Sequence, residues 1–131
     1  MIKVPTKIEI KESPGKGLGV FATEDIEKEE VIEECLLLKL PIEKGEMSSL
    51  FLDYRFNYPQ SGEWTEQVLP MGYGVYYNHS STNNAYWRDH PSIRAFQFVA
   101  NRKIEKGEEI CTFYGDDGYW NDGRESINIL D

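Results

Sequence analysis

The chain has 131 residues, 40% of them hydrophobic, with 14 basic against 23 acidic side chains and a formal net charge of −9. Such a size and composition predict one compact domain over residues 1–131 with a real core. Its longest apolar run, Cys35-Leu36-Leu37-Leu38, is far below the ~20 residues that cross a bilayer, and no basic-then-apolar leader opens the chain, so no membrane association is expected. The negative balance repels phosphate backbones and argues against direct nucleic-acid binding. Two well-separated cysteines do not make a disulfide-dense secreted scaffold, which favours an intracellular, reducing compartment.

In chain order, apolar/polar alternation predicts short strands at Lys7-Ile8-Glu9-Ile10-Lys11, Val20-Phe21-Ala22, Val31-Ile32 and Cys35-Leu36-Leu37-Leu38. Between them, Ser13-Pro14-Gly15-Lys16-Gly17-Leu18-Gly19 and Asp25-Ile26-Glu27-Lys28-Glu29-Glu30 read as loops. Residues 46–56 read as a short helix with Leu50, Tyr54 and Met47 on one face, although Phe51 and Phe56 break the stripe. Pro59-Gln60-Ser61-Gly62 marks a turn, which predicts a hairpin over residues 54–69. Two further strands are expected within residues 92–114. No room is left for three long helices, so the chain reads as mostly β.

Residues 22–32 align with residues 100–110, six of eleven positions being identical. Two copies are too few for a solenoid. They predict one local unit used twice, with Ile26 and Ile104 in the core and Glu27-Lys28 and Glu105-Lys106 in water. Gly107 stands where the first copy has Glu29, which suits a tighter turn.

The ordered core is expected over about residues 6–120, followed by an acidic tail over about 116–131. Eight carboxylates and two basic residues lie between Glu105 and Asp131. This segment reads either as a solvated terminus or as an electrostatic funnel for a Lys/Arg-rich peptide.

Three stretches offer chemistry. Gly15-Lys16-Gly17-Leu18-Gly19 is a G-x-G-x-G run, and glycines let backbone N–H groups approach a ligand. A strand pattern follows it, so a doubly wound nucleotide fold is rejected and a glycine-rich hairpin is the plainer reading. Tyr77-Asn78-His79-Ser80 brings amide and imidazole together, able to read a polar ligand or simply to be satisfied within the fold. With one other histidine, His90, no zinc ligand set of ordinary spacing is present. The third stretch runs from Gly107-Glu108-Glu109-Ile110 to Tyr114-Gly115. Phe113, Tyr114, Tyr119 and Trp120 there could pack as core or, beside acid, lodge a cationic side chain.

Taken in order, Gly17-Leu18-Gly19-Val20-Phe21-Ala22, then Asn78-His79-Ser80 with Asn84, then Gly107-Glu108-Glu109-Ile110 ending at Tyr114-Gly115 resemble the SET-domain protein lysine methyltransferases, in the minimal form of small viral and bacterial members. The resemblance covers about 100 residues. It implies a mostly β fold of several short sheets with one or two short helices and a C-terminal pseudoknot beside Asn78-His79-Ser80. It also implies an S-adenosyl-L-methionine site formed by Lys16, Gly17, Leu18, Gly19, Tyr77, Asn78, His79, Tyr114 and Trp120, yielding S-adenosyl-L-homocysteine. Tyr114 is implied as the catalytic residue, and Tyr54, Tyr114 and Tyr119 as walls of the substrate-lysine channel. Leu18 stands where the family often has an aromatic residue, and Asn83 where it usually has Pro. The family's cysteine-rich zinc knot is missing, and a homodimer could compensate for it.

On this resemblance the expected activity is S-adenosylmethionine-dependent methylation of lysine in basic proteins such as histone tails, in a cytoplasmic or nuclear setting. The alternative is a catalytically weak SET-like module that binds peptide or cofactor.

Overall fold

The computed structural model describes residues 2–40 and 54–114. Among them are nine strands: β1 Ile8–Ser13, β2 Gly17–Ala22, β3 Val31–Lys39, β4 Phe56–Tyr58, β5 Glu66–Pro70, β6 Asn78–His79, β7 Ala85–Asp89, β8 Ala95–Ala100 and β9 Glu109–Thr112. They form a four-stranded sheet in the order β1-β2-β9-β6 and a five-stranded sheet in the order β4-β5-β3-β8-β7.

The expected β character holds, and the differences have local causes. Gly17-Leu18-Gly19 belongs to β2 and not to a loop, because Ser13 pairs with Gly17 and the turn is confined to the residues between them. Gly15 and Gly17 have φ of 78° and 80°, a backbone open to glycine at little cost. The two short runs expected after Val31 are one nine-residue strand. A register shift between Val31 and Glu33 interrupts their alternation and leaves Ile32 and Glu33 both buried. The hairpin expected over residues 54–69 is present as β4 and β5, paired from Phe56↔Val68 to Tyr58↔Glu66. Most of the helix read over residues 46–56 lies outside the described residues, and Phe56 at its end opens β4. The strand β6 has only two residues, too few to show any alternation.

The core collects Val20, Ile26, Ile32, Val68, Tyr77, Phe96, Phe98, Ile104 and Ile110. Every residue of β8 is buried, as befits a strand flanked by β3 and β7. Its one long polar side chain, Gln97, accepts from Arg88 Nε at 2.8 Å and donates to Glu34 Oε2 at 2.7 Å, so its burial leaves neither end unmade.

The two repeat copies pair with each other. Ile26 and Ile104 exchange both backbone hydrogen bonds at 2.8 Å, and both are buried as expected. Around them the remaining bonds match two by two: Ala22 N–H to Glu108 C=O against Ala100 N–H to Glu30 C=O, and Gly107 N–H to Ala22 C=O against Glu29 N–H to Ala100 C=O. Glu30 and Glu108 each accept from the backbone N–H three residues back, at 3.0 and 2.8 Å. This pseudo-twofold clamp ties the start of β3 to the start of β9 and so fixes one sheet against the other.

Candidate functional site

β9 lies in the middle of the small sheet, antiparallel to β2 and parallel to β6. That placement brings together three stretches distant in sequence: the glycine run of β2, Asn78-His79 of β6, and Tyr114 just beyond β9. Asn84 secures the arrangement by treating β9 as a partner strand. Its Nδ2 donates to Glu109 C=O at 2.9 Å, and its Oδ1 accepts from Cys111 N–H at 2.8 Å.

At the centre, Tyr114 donates its hydroxyl to the Tyr77 carbonyl at 2.5 Å. The next residue, Asn78, donates from Nδ2 to Leu18 C=O at 3.1 Å and to Glu109 Oε2 at 2.7 Å. His79 Nδ1 accepts from Tyr114 N–H at 3.0 Å, so the imidazole anchors the backbone that carries the tyrosine. Its ring sits 5.2 and 5.4 Å from those of Phe113 and Tyr114. Lys16 Nζ reaches across to the His79 carbonyl at 3.1 Å.

A cleft of about 390 Å³ opens beside this cluster, lined by Gly15, Lys16, Gly17, Leu18, Tyr54, Val75, Tyr76 and Asn78. Five of the residues singled out in sequence therefore share one cavity: Lys16, Gly17, Leu18, Tyr54 and Asn78. Gly19 lies beneath it, facing Asn78 and Glu109. Tyr77 turns its ring the other way, stacked on Phe98 at 4.4 Å, and meets the site only through its carbonyl. Tyr119 and Trp120 lie outside the described residues.

Two carboxylates that the sequence reading left without a role support the Tyr77–Asn78 segment from opposite sides. Glu33, 1% exposed, accepts from the Tyr77 hydroxyl at 2.6 Å and from Tyr73 N–H at 3.3 Å. Burial raises the pKa of its carboxyl above the ordinary carboxylate value, against the pull of those hydrogen bonds. The same burial, with Glu33 alongside, raises the pKa of the Tyr77 phenol, which stays a neutral donor. Glu109 accepts from Asn78 and, through its other oxygen, from Ser13 Oγ at 2.8 Å. The only signal of Glu33 in sequence is acid inside an apolar strand. Glu109 was quoted within a motif, but nothing local tells which strand it faces.

Comparison with known proteins identifies the family. The profile of the SET domain family matches residues 17–115. A Schizosaccharomyces pombe histone-lysine N-methyltransferase described as H3 lysine-37 specific is 30% identical over 129 residues, which are 97% of this chain and 86% of that protein. A Saccharomyces cerevisiae histone-lysine N-methyltransferase described as H3 lysine-36 specific is 35% identical over 86% of this chain, which spans only 16% of that protein. The crystal structure of a Plasmodium falciparum protein assigned as a histone methyltransferase superposes with a TM-score of 0.71 at 35% identity, over 86% of this chain and 96% of that one. Motifs, strand arrangement and relatives agree, and the chain belongs to the SET domain family.

Proposed function

We propose that this chain is an S-adenosylmethionine-dependent protein-lysine N-methyltransferase whose substrates are basic, extended peptides, histone tails first among them. The observation that carries the reading is that Asn78 lines one cleft with Lys16, Gly17 and Leu18 of the glycine run, while Tyr114 bonds the carbonyl of the residue before Asn78. About 390 Å³ lies in the usual range for a small-molecule or cofactor pocket. The exposed backbone of Gly17 and Leu18, the Lys16 ammonium and the Asn78 carboxamide provide donors and an acceptor for a nucleoside carrying an amino-acid moiety. S-adenosylmethionine, when bound, would supply an electrophilic methyl group on a sulfonium.

The residues of the chain supply alignment and a desolvated setting. A lysine ammonium cannot attack, and removing its proton near neutral pH costs about 4 kcal/mol in water. Tyr54 and Tyr76 bring aromatic rings to the cleft, and a substrate amine desolvated against such rings would be disfavoured as the charged form, which lowers that cost without a dedicated base. Tyr114 has its hydroxyl hydrogen committed to the Tyr77 carbonyl, so its oxygen acts as an acceptor that can orient an amine N–H or a methyl C–H. Most of the rate gain would come from this positioning.

The substrate class is supported by the net charge of −9 and by the histone-lysine methyltransferases among the relatives. A nuclear or cytoplasmic setting goes with such substrates.

The test is mass spectrometry of core histones and other basic proteins incubated with the chain and S-adenosylmethionine. We expect methyl additions on lysine. Tyr114→Phe should keep cofactor affinity within about threefold while turnover falls roughly a hundredfold. Equal loss of binding and turnover would remove Tyr114 from the chemistry. Cofactor binding without methylation of any protein would favour the binding-module alternative.

A further inference from the structure

β1, six residues long, lies at the edge of the four-stranded sheet, and its pairing with β2 runs from Ile8↔Ala22 to Ser13↔Gly17 without a shift. Successive residues of a strand turn their backbone groups to opposite sides. Lys7 C=O accepts from Thr23 N–H at 2.8 Å, which sets Lys7, Glu9, Lys11 and Ser13 toward β2. The N–H and C=O groups of Ile8, Ile10 and Glu12 therefore point outward, and no described strand pairs with them. Two other edges are blunted: β4 has three residues, and in β7 the Ala85 carbonyl accepts from Asn83 Nδ2 at 2.9 Å. β1 carries neither a proline nor a bulge.

The side chains of β1 alternate as well. Ile8 and Ile10 pack against the core, while Glu9 and Lys11 are exposed together on the opposite face. Among the described residues neither Glu9 nor Lys11 takes part in an ion pair, and Lys11 lies over the Phe21 ring at 4.7 Å.

This charge pattern is self-complementary in one antiparallel register. A twofold axis at Glu9 would set Glu9 against its own copy and Lys7 against Lys11. An axis at Lys11 would set Lys11 against its own copy, and one at Glu12 would bring Ile10 opposite Pro14, which has no N–H. An axis at Ile8 would need Thr6, outside the strand, and Lys7, already paired with Glu30 at 2.9 Å. An axis at Ile10 sets Glu9 of each copy against Lys11 of the other, while Ile8 of each exchanges backbone hydrogen bonds with Glu12 of the other. The Glu–Lys pairs then occupy the non-hydrogen-bonded positions, where facing side chains are closest.

We infer that β1 is a self-recognition edge: two copies of this chain pair antiparallel through β1 about a twofold axis at Ile10, joining their small sheets into one. Glu12, at one end of the paired stretch, lies opposite Leu18, so the pairing braces the hairpin that lines the cleft. The inference stands apart from the cofactor reading.

Analytical ultracentrifugation of the full chain tests it. From about 1 µM to about 1 mM the parent should show a monomer–dimer equilibrium. Glu9→Lys and Lys11→Glu each set like charges face to face twice and should raise the dissociation constant at least about tenfold. The double exchange, Glu9→Lys with Lys11→Glu, restores opposite charges about an axis at Ile10 and should return the constant to within about threefold of the parent. Glu12→Pro removes an outward N–H that the second copy would accept from, in a position where an edge strand tolerates proline, and should also favour the monomer.

A parent that stays monomeric throughout that range would overturn the inference, as would a dimer indifferent to the single reversals. Single variants that dissociate without recovery in the double exchange would overturn the register and the inference with it. None of these outcomes touches the cofactor reading, which methyl transfer tests separately.

Discussion

Residues 22–32 and 100–110 make the same hydrogen bonds around the Ile26–Ile104 pair, yet lead to different ends. The first copy runs into β3, nine residues long, which enters the five-stranded sheet and carries Glu33 into the core. The second runs into β9, four residues long, which enters the small sheet and brings Glu109 to the Asn78 amide and Tyr114, just beyond it, to the Tyr77 carbonyl. At one repeat position the first copy has Val31, paired with Val99, and the second has Glu109, paired with Phe21. The clamp itself is a scaffold, and chemistry depends on what each exit strand lies beside.

If that contrast is right, substitutions should separate stability from binding. The largest effect is expected at Glu33. Replacement by Ala leaves the buried Tyr77 hydroxyl and the Tyr73 N–H without their acceptor and should cost about 3 kcal/mol, read as a fall in the urea midpoint. Glu109→Ala, which frees Asn78 beside the cleft, should instead show its main effect in affinity for S-adenosylhomocysteine, read by calorimetric titration, and a larger stability loss at Glu109 than at Glu33 would break the comparison.

The Glu33 carboxyl also gives the first copy a pH signature. Its folded pKa is raised above the ordinary 4.5, so the folded state holds this proton more tightly than the unfolded chain. Its contribution is greatest below 4.5 and is lost as pH rises through the higher folded value. Urea titrations should therefore show the parent losing stability relative to Glu33→Gln over that window. A constant difference would mean that the carboxyl is not shifted.

Smaller effects are expected at the turns. Gly107 has φ of 91° and open space around a would-be Cβ, so Gly107→Ala should cost about 1 kcal/mol through backbone strain alone. Glu29, with φ of 69°, bears that strain already and gains in return the Tyr86 hydroxyl at 3.1 Å. Glu29→Gly should raise stability by about 0.5 kcal/mol, the least of these changes, measured by the same titration. Opposite signs at equivalent positions would sharpen the symmetry, and a loss at both would break it.

Much of this was legible along the chain. Lys7-Ile8-Glu9-Ile10-Lys11 alternates and short apolar runs follow it, Pro59-Gln60-Ser61-Gly62 marks its turn, and the repeated Ile-Glu-Lys unit announces two matching turns. The motif residues Lys16, Gly17, Leu18, Tyr54 and Asn78 meet at one cleft. Less legible was the direction in which each side chain faces. Tyr77 adjoins Asn78 in sequence but lies just before β6, and its ring stacks on Phe98 of the other sheet. Glu33 showed itself only as acid inside an apolar strand, because the register shift beside it exists only once β3 pairs with β8.

The sequence by itself determined the β class, the paired turn units and the membership of the motif residues in one family, for these depend on composition, short periodicities and identities in order. Tertiary structure alone decided that Ser13, Gly19, Asn78 and Glu109 form a single network. Their contacts span up to 96 positions and exist only when β9 lies between β2 and β6. Hydrogen bonds of this kind are set by distances of a few ångströms between strands, which the local pattern of a sequence does not encode.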